Sequence, residues 1–224
     1  MIFIEEPEGP QNYITVLEHQ RELFNQLVNE KRANGRVDEE FLILVEHSPV
    51  ITLGRRASYN NLLISEESLS KCNIDVVRIE RGGDITYHGP GQLVMYPIID
   101  LELHRLGVKT YVNLLEEAVI LTLAEFGING ERVEGATGVW VGKGSKHERK
   151  ICAIGVKCSR FITMHGLALN VNTDLSPFQL INPCGFTDKG VTSISKELGH
   201  EVNYREVVEI VKEKFLSLLY TDKK

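Results

Sequence analysis

The stretch Arg81-Gly82-Gly83-Asp84-Ile85-Thr86-Tyr87-His88-Gly89-Pro90-Gly91-Gln92 constrains this chain more than any other. Its glycines have no Cβ, so the backbone can turn tightly or come close to a ligand. Pro90 keeps the segment out of a helix interior. The apolar run that follows, residues 92–99, is rich in β-formers and reads as a strand entering the core straight from the turn. The pattern lacks the Gly-Lys-Ser/Thr ending of a phosphate-binding P-loop. It also leads into a strand rather than a helix, which separates it from a dinucleotide-binding fingerprint. One reading is purely structural: two tight turns around a short strand. That role does not need Arg, His and Gln packed between the glycines, and the second reading is a binding loop. In that reading Arg81 orients an anion, while Thr86, His88 and Gln92 supply hydrogen bonds.

Around this segment the periodicity alternates between strand and helix. Residues 13–33 carry Ile14, Leu17, Leu23, Leu27 and Val28 near one helical face, and residues 110–126 do the same with Val112, Leu115, Val119, Leu123 and Phe126. Gly127 is placed to end the second helix. A third amphipathic helix spans 207–219. Strands are predicted at 41–45, 50–53, 75–79, 92–99, 138–141, 151–157 and 161–171, with a basic loop at 142–149 and a Pro/Asn/Gly-rich segment at 172–190. Strands dominate and no regular βαβ alternation appears. The expected class is α+β, a mixed β-sheet flanked by helices, formed by residues 1–224 as one domain.

Thirty-one acidic against 25 basic residues leave a net charge of −6. General attraction to nucleic acid is therefore not expected, and any polyanionic partner needs a local basic patch. No apolar run approaches the roughly 18 residues of a membrane span. The first ten residues hold three glutamates and no basic residue, unlike a secretory or transit signal. A cytoplasmic protein without a membrane partner is the expectation, with a monomer as the default state.

Chemistry points to a thiol and a lysine. The four cysteines, Cys72, Cys152, Cys158 and Cys184, form no close pair, which argues for free thiols and against a zinc site. Cys152 and Cys158 fall in a strand pattern as small apolar filler, and Cys72 lies in a polar stretch. Cys184 sits in Asn182-Pro183-Cys184-Gly185, a sequence that shapes a loop and sets the side chain at its apex. Lys150 closes the basic loop and abuts apolar Ile151-Cys152-Ala153-Ile154, where an ammonium must snorkel or find a partner. Next to a thiol it would favour the thiolate. His165 and Asn170 remain open between structural and functional roles, and Trp140 reads as a packing residue.

Four ordered motifs then carry a family resemblance. Arg81-Gly-Gly-x-x-Thr-x-His-Gly-Pro-Gly-Gln, Lys150-Ile-x-Ala-Ile-Gly, His165-Gly-x-Ala-Leu-Asn-Val-Asn and Pro183-Cys184-Gly185 together resemble the lipoyl(octanoyl) transferases, octanoyl-[acyl-carrier-protein]:protein N-octanoyltransferase. The likeness runs from about Glu46, through Leu53-Gly54-Arg55-Arg56, to about Gly199. It implies the fold shared with biotin protein ligases and lipoate–protein ligases, and a dyad of Cys184 and Lys150. It also implies an acyl pocket built from Arg81, Gly82, Gly83, Asp84, Ile85, Thr86, Tyr87 and His88, from Ala153, Ile154 and Gly155, and from Gly166, Leu167 and Ala168.

By the same resemblance the donor is octanoyl-acyl carrier protein. The acceptors are lipoyl domains of 2-oxoacid dehydrogenase complexes and the glycine cleavage H protein. No cofactor or metal is implied. Arg55, Arg56, Lys143, Lys146 and Arg149 are the candidate basic contacts for an acidic carrier. Two other readings compete. An ATP-dependent lipoate or biotin ligase would not need the Pro-Cys-Gly thiol, and a non-catalytic acyl-binding module would not need both Lys150 and Cys184.

Overall fold

In the computed structural model, residues 1–182 and 190–221 are described. The centre of the molecule is a mixed sheet in the order β1-β3-β7-β11-β10-β9-β8. These strands are β1 (Ile2–Glu5), β3 (Glu40–His47), β7 (Gln92–Ile98), β8 (Gly130–Val133), β9 (Ala136–Val141), β10 (Arg149–Ser159) and β11 (Ile162–Asn170). Two short strands extend it: β2 (Pro10–Gln11) pairs with β3, and β12 (Gly190–Val191) runs parallel to β10. β1 lies parallel to β3, whereas β3, β7, β11, β10, β9 and β8 pair antiparallel in turn. A separate three-stranded sheet joins β4 (Val50–Leu53) to parallel β5 (Asp75–Arg78) and antiparallel β6 (Ile85–His88).

Helices cover both faces of the central strands, which is why β7 and β11 are buried along their whole length. Leu93, Met95, Leu167 and Leu169 point to one face, where they pack with α3 (Val108–Glu125) and α5 (Tyr204–Thr221). Their neighbours Val94, Tyr96 and Ala168 point to the other, against α1 (Tyr13–Asn34). This is the period-2 alternation of a strand with an apolar requirement on each side. Two short helices complete the order, α2 (Glu66–Lys71) beneath the small sheet and α4 (Ile194–Leu198) before α5.

Local chemistry explains where the long helices begin and end. Asn12 caps α1 by accepting from the amides of Ile14 (2.9 Å) and Thr15 (3.2 Å), and Gly35 stops it in the left-handed region at φ 74°. Gly127, at φ 69°, follows the end of α3 as the sequence implied. The buried face of α1 differs from the expectation at one point. Ile14 is exposed, and Tyr13, Val16, Leu17, Gln20, Leu23, Phe24 and Leu27 are the residues that face the sheet. The strand expected at 161–171 starts at Ile162, because Arg160 and Phe161 form the β10–β11 turn with positive φ (50° and 65°). The α+β class read from the sequence is the one observed. Among the described residues no helix is long and apolar enough to cross a membrane.

Candidate active site

The small sheet leans on β10 and β11, and a cavity of about 500 Å³ lies between them. That volume falls in the range of roughly 300–1,000 Å³ typical of small-molecule sites. The segment Arg81–Asp84 reaches β10 because position 155 is glycine. The Gly82 amide donates to the Val156 carbonyl (3.0 Å), and a Cβ on Gly155 would stand 2.7 Å from the Gly82 carbonyl oxygen. The backbone of 54–56 docks on the other side, with the amides of Gly54, Arg55 and Arg56 donating to Asp84, Arg81 and Gly83 carbonyls (each 3.1 Å). Three motifs far apart in sequence therefore share one wall.

Buried side chains lock these motifs together. The Arg81 guanidinium donates to the Thr52 carbonyl (2.9 Å) and hydroxyl (3.0 Å). His88 Nδ1 donates to Gln92 Oε1 (2.7 Å), which leaves His88 Nε2 to face the Thr52 hydroxyl at 3.4 Å. Gln92 Nε2 donates to Asn170 Oδ1 (2.8 Å), and Asn170 Nδ2 to the Thr192 carbonyl (2.9 Å). A chain of partners thus runs from Arg81 to Asn170, so the hydrogen-bonding residues between the glycines hold the motifs in register. Such a network is stable only when each member is satisfied.

The imidazoles of this region are neutral. Burial pushes His88 down to about 3, with His47 adding to the effect, and burial also takes His47 down to about 4 and His165 down to about 3. His165 is 1% exposed and lines the cavity; among the described residues neither of its ring nitrogens has a hydrogen-bond partner.

Lys150 reaches the same cavity from a bulge. In the β9–β10 pairing Lys150 opposes Trp140, but Cys152 opposes Val139, so the register slips between them. The slip re-aims the lysine, as bulges do. Its Nζ donates to the Thr137 carbonyl (3.0 Å) and lies 4.6 Å from the centre of the Trp140 ring. Trp140 is therefore more than packing: its face meets the ammonium.

Of the pocket residues read from the sequence, all except Tyr87 line the cavity. Tyr87 faces the opposite side of β6 from Thr86 and His88, and stacks edge-on with Phe178 at 5.6 Å in the core under the small sheet. Tyr13, Val94 and Tyr96 line it without having been singled out. The alternation of Val94 and Tyr96 along 92–99 carries that signal for two of them. Tyr13, at the first turn of α1, has none.

Among the thiols, burial pushes Cys152 well above the ordinary cysteine range and raises half-buried Cys158, while Cys72 is exposed. None of these three lines the cavity. Cys184 lies outside the described residues. Of the described residues flanking 183–189, the Asn182 amide donates to the Asn61 carbonyl (2.7 Å), and Val191 pairs with Lys150 and lines the cavity. Among the described residues no group of three or more His, Cys, Asp or Glu side chains is gathered to hold a metal. Of the candidate basic contacts, Lys143 and Lys146 are exposed and Arg56 reaches the cavity rim, whereas Arg149 is ion-paired with Glu197.

The mixed sheet thus presents a lysine from its bulged strand to a partly open cavity lined by the glycine-bearing motifs. The structure superposes on a bipartite lipoate protein ligase from Thermoplasma acidophilum with a TM-score of 0.70 at 18% identity, covering 98% of this chain and 83% of that one. Against a lipoate-protein ligase A bound with ATP the TM-score is 0.69 at 17% identity, covering 98% and 85%. These likenesses show the fold.

Sequence relatives are nearer. An octanoyltransferase of Bacteroides fragilis is 52% identical over 207 residues, 92% of this chain and 93% of its own length. An octanoyltransferase of Parabacteroides distasonis is 54% identical over 188 residues, 84% and 85%. Residues 12–216 match the lipoyl protein ligase A/B catalytic domain. The chain belongs to that family, and within it to the octanoyltransferases, which makes it an acyltransferase.

Proposed function

We propose that this enzyme carries the octanoyl group on Cys184 between two proteins. The thiolate attacks the thioester of octanoyl-acyl carrier protein, the carrier's thiol leaves, and an octanoyl-Cys184 thioester remains. The ε-amine of a lysine on a lipoyl domain then attacks this thioester, forming an amide and releasing Cys184. The first exchange trades one thioester for another. The second runs downhill because an amide is more stable than a thioester, so no nucleotide is consumed.

In the first step Lys150, as an ammonium, stabilises the thiolate and gives its proton to the departing carrier thiolate; the neutral amine then takes the proton of the attacking ammonium in the second. Apolar lining holds the acyl chain, each buried CH₂ contributing roughly 0.8 kcal/mol. Neutral His88 and His165 leave the cavity without added positive charge. The observation that carries this reading is the placement of Lys150 on the wall of the same cavity as the three glycine-bearing motifs, in a chain about half identical to octanoyltransferases. The test is a reconstituted reaction of octanoyl-acyl carrier protein with a lipoyl domain in the absence of nucleotide. Octanoylated lipoyl domain is the expected product. Product formed only when ATP is added would replace this reading with a ligase mechanism.

A further inference from the structure

The β9–β10 bulge holds Lys150 through a peptide that is itself held by a carboxylate. Glu116 lies in the middle of α3, outside every motif described above, and is buried against β8 and β9. Its Oε2 accepts from Arg132 Nε (3.0 Å), and Arg132 also donates to Glu117 (2.7 Å) and to the Asn113 carbonyl (2.8 Å). Its Oε1 accepts from the backbone amide of Gly138 at 3.0 Å. That N–H belongs to the Thr137–Gly138 peptide, and the carbonyl of the same peptide accepts Lys150 Nζ at 3.0 Å. Gly138 adopts φ 118°, and a Cβ there would stand 2.4 Å from the Cys152 carbonyl oxygen, so the peptide sits where only glycine fits.

We propose that Glu116 is a positioning residue for Lys150, acting through the Thr137–Gly138 peptide. This rests on the role given to Lys150 above. A peptide bonded at both its N–H and its C=O cannot rotate about the chain, so the carbonyl that receives the ammonium keeps one direction. A carboxylate on the N–H also polarises the carbonyl beyond it, strengthening its bond to a cation. The carboxylate stays out of the cavity, where it would repel a thiolate. Arg132 offsets its burial from the far side. A clip between α3 and β8 alone would need only the Arg132 pair; the bond to Gly138 ties the clip to the reacting lysine.

The experiment compares Glu116→Asp, Glu116→Leu, Glu116→Gln and Arg132→Met, assayed below the melting temperature of each, in wild-type and Lys150→Ala backgrounds. Aspartate keeps the charge and the arginine partner but falls short of the Gly138 amide, and is the variant that keeps the test open should leucine not fold. Glutamine keeps the reach. The Asp and Leu variants are expected to lose kcat by on the order of tenfold or more with KM for the acyl donor little changed. Glutamine is expected to restore most of it, and Arg132→Met to lower the melting temperature without lowering kcat. In the Lys150→Ala background the Glu116 variants are expected to add nothing. Folded Asp and Leu variants with wild-type kcat, or a loss that persists undiminished without Lys150, would overturn the proposal while leaving the dyad intact. A fully active Lys150→Ala enzyme would remove the dyad and this inference with it.

Discussion

Replacing Lys150 with alanine is expected to slow octanoyl transfer by roughly 10²–10⁴-fold, the span that a positioned acid–base group contributes, while the protein stays folded. The expectation comes from where the side chain sits. Its backbone belongs to β10, whose ladder to β11 and β12 does not depend on the side chain. Its ammonium, in contrast, meets the Thr137 carbonyl and the Trp140 face at the cavity wall. Removing it costs the cation–π contact with Trp140 and the hydrogen bond to Thr137, and in the proposed mechanism it takes away the cation that favours a thiolate and the amine that accepts the second-step proton. Both half-reactions should slow when followed by rapid-quench kinetics, with donor KM changing less than kcat. A variant that forms the acyl-enzyme at the wild-type rate would confine Lys150 to the second step.

Replacing Cys184 with serine is expected to abolish transfer, by on the order of 10³-fold or more, because in the proposed mechanism its thiolate is the nucleophile of the covalent route. A serine hydroxyl is far less acidic than a thiol, so an ammonium partner does not ionise it. The described cysteines offer no substitute. Cys152 is buried with its thiol pushed up in pKa, and neither Cys158 nor Cys72 lines the cavity. Steady-state transfer to a lipoyl domain checks this, with far-UV circular dichroism confirming the fold. Retained activity in the serine variant would leave the cysteine without a role.

Much of this was legible in the chain itself, where local chemistry and tertiary packing agree. The run 92–99 is apolar on both faces because helices cover both, and it is a central strand. The glycines of 82–83 read as places where backbone can come close to a ligand, and in the structure they also come close to β10 at Gly155, a contact the sequence did not announce. The features that escaped depend on partners distant in sequence or on signals that residues do not carry. The Arg160–Phe161 turn has two positive-φ residues and no glycine to announce it. β1 and β2 are edge pieces that pair only because β3 presents an open side. Tyr87 sits between two cavity residues in sequence, yet strand alternation turns it into the core beneath the small sheet. Arg81, read as an anion ligand, is also the pin that ties Thr52 to the glycine loop. Lys150 read as the mouth of a strand because the slip that re-aims it depends on β9, and residue spacing does not reveal a register shift.

The most direct measurement mixes the wild-type enzyme with octanoyl-acyl carrier protein alone, without nucleotide or acceptor, and maps the adduct by intact mass and peptide sequencing. One octanoyl group per chain, on Cys184, labile to hydroxylamine and discharged on adding a lipoyl domain, is the predicted result. No adduct under these conditions, or one borne by a residue other than Cys184, would contradict the account.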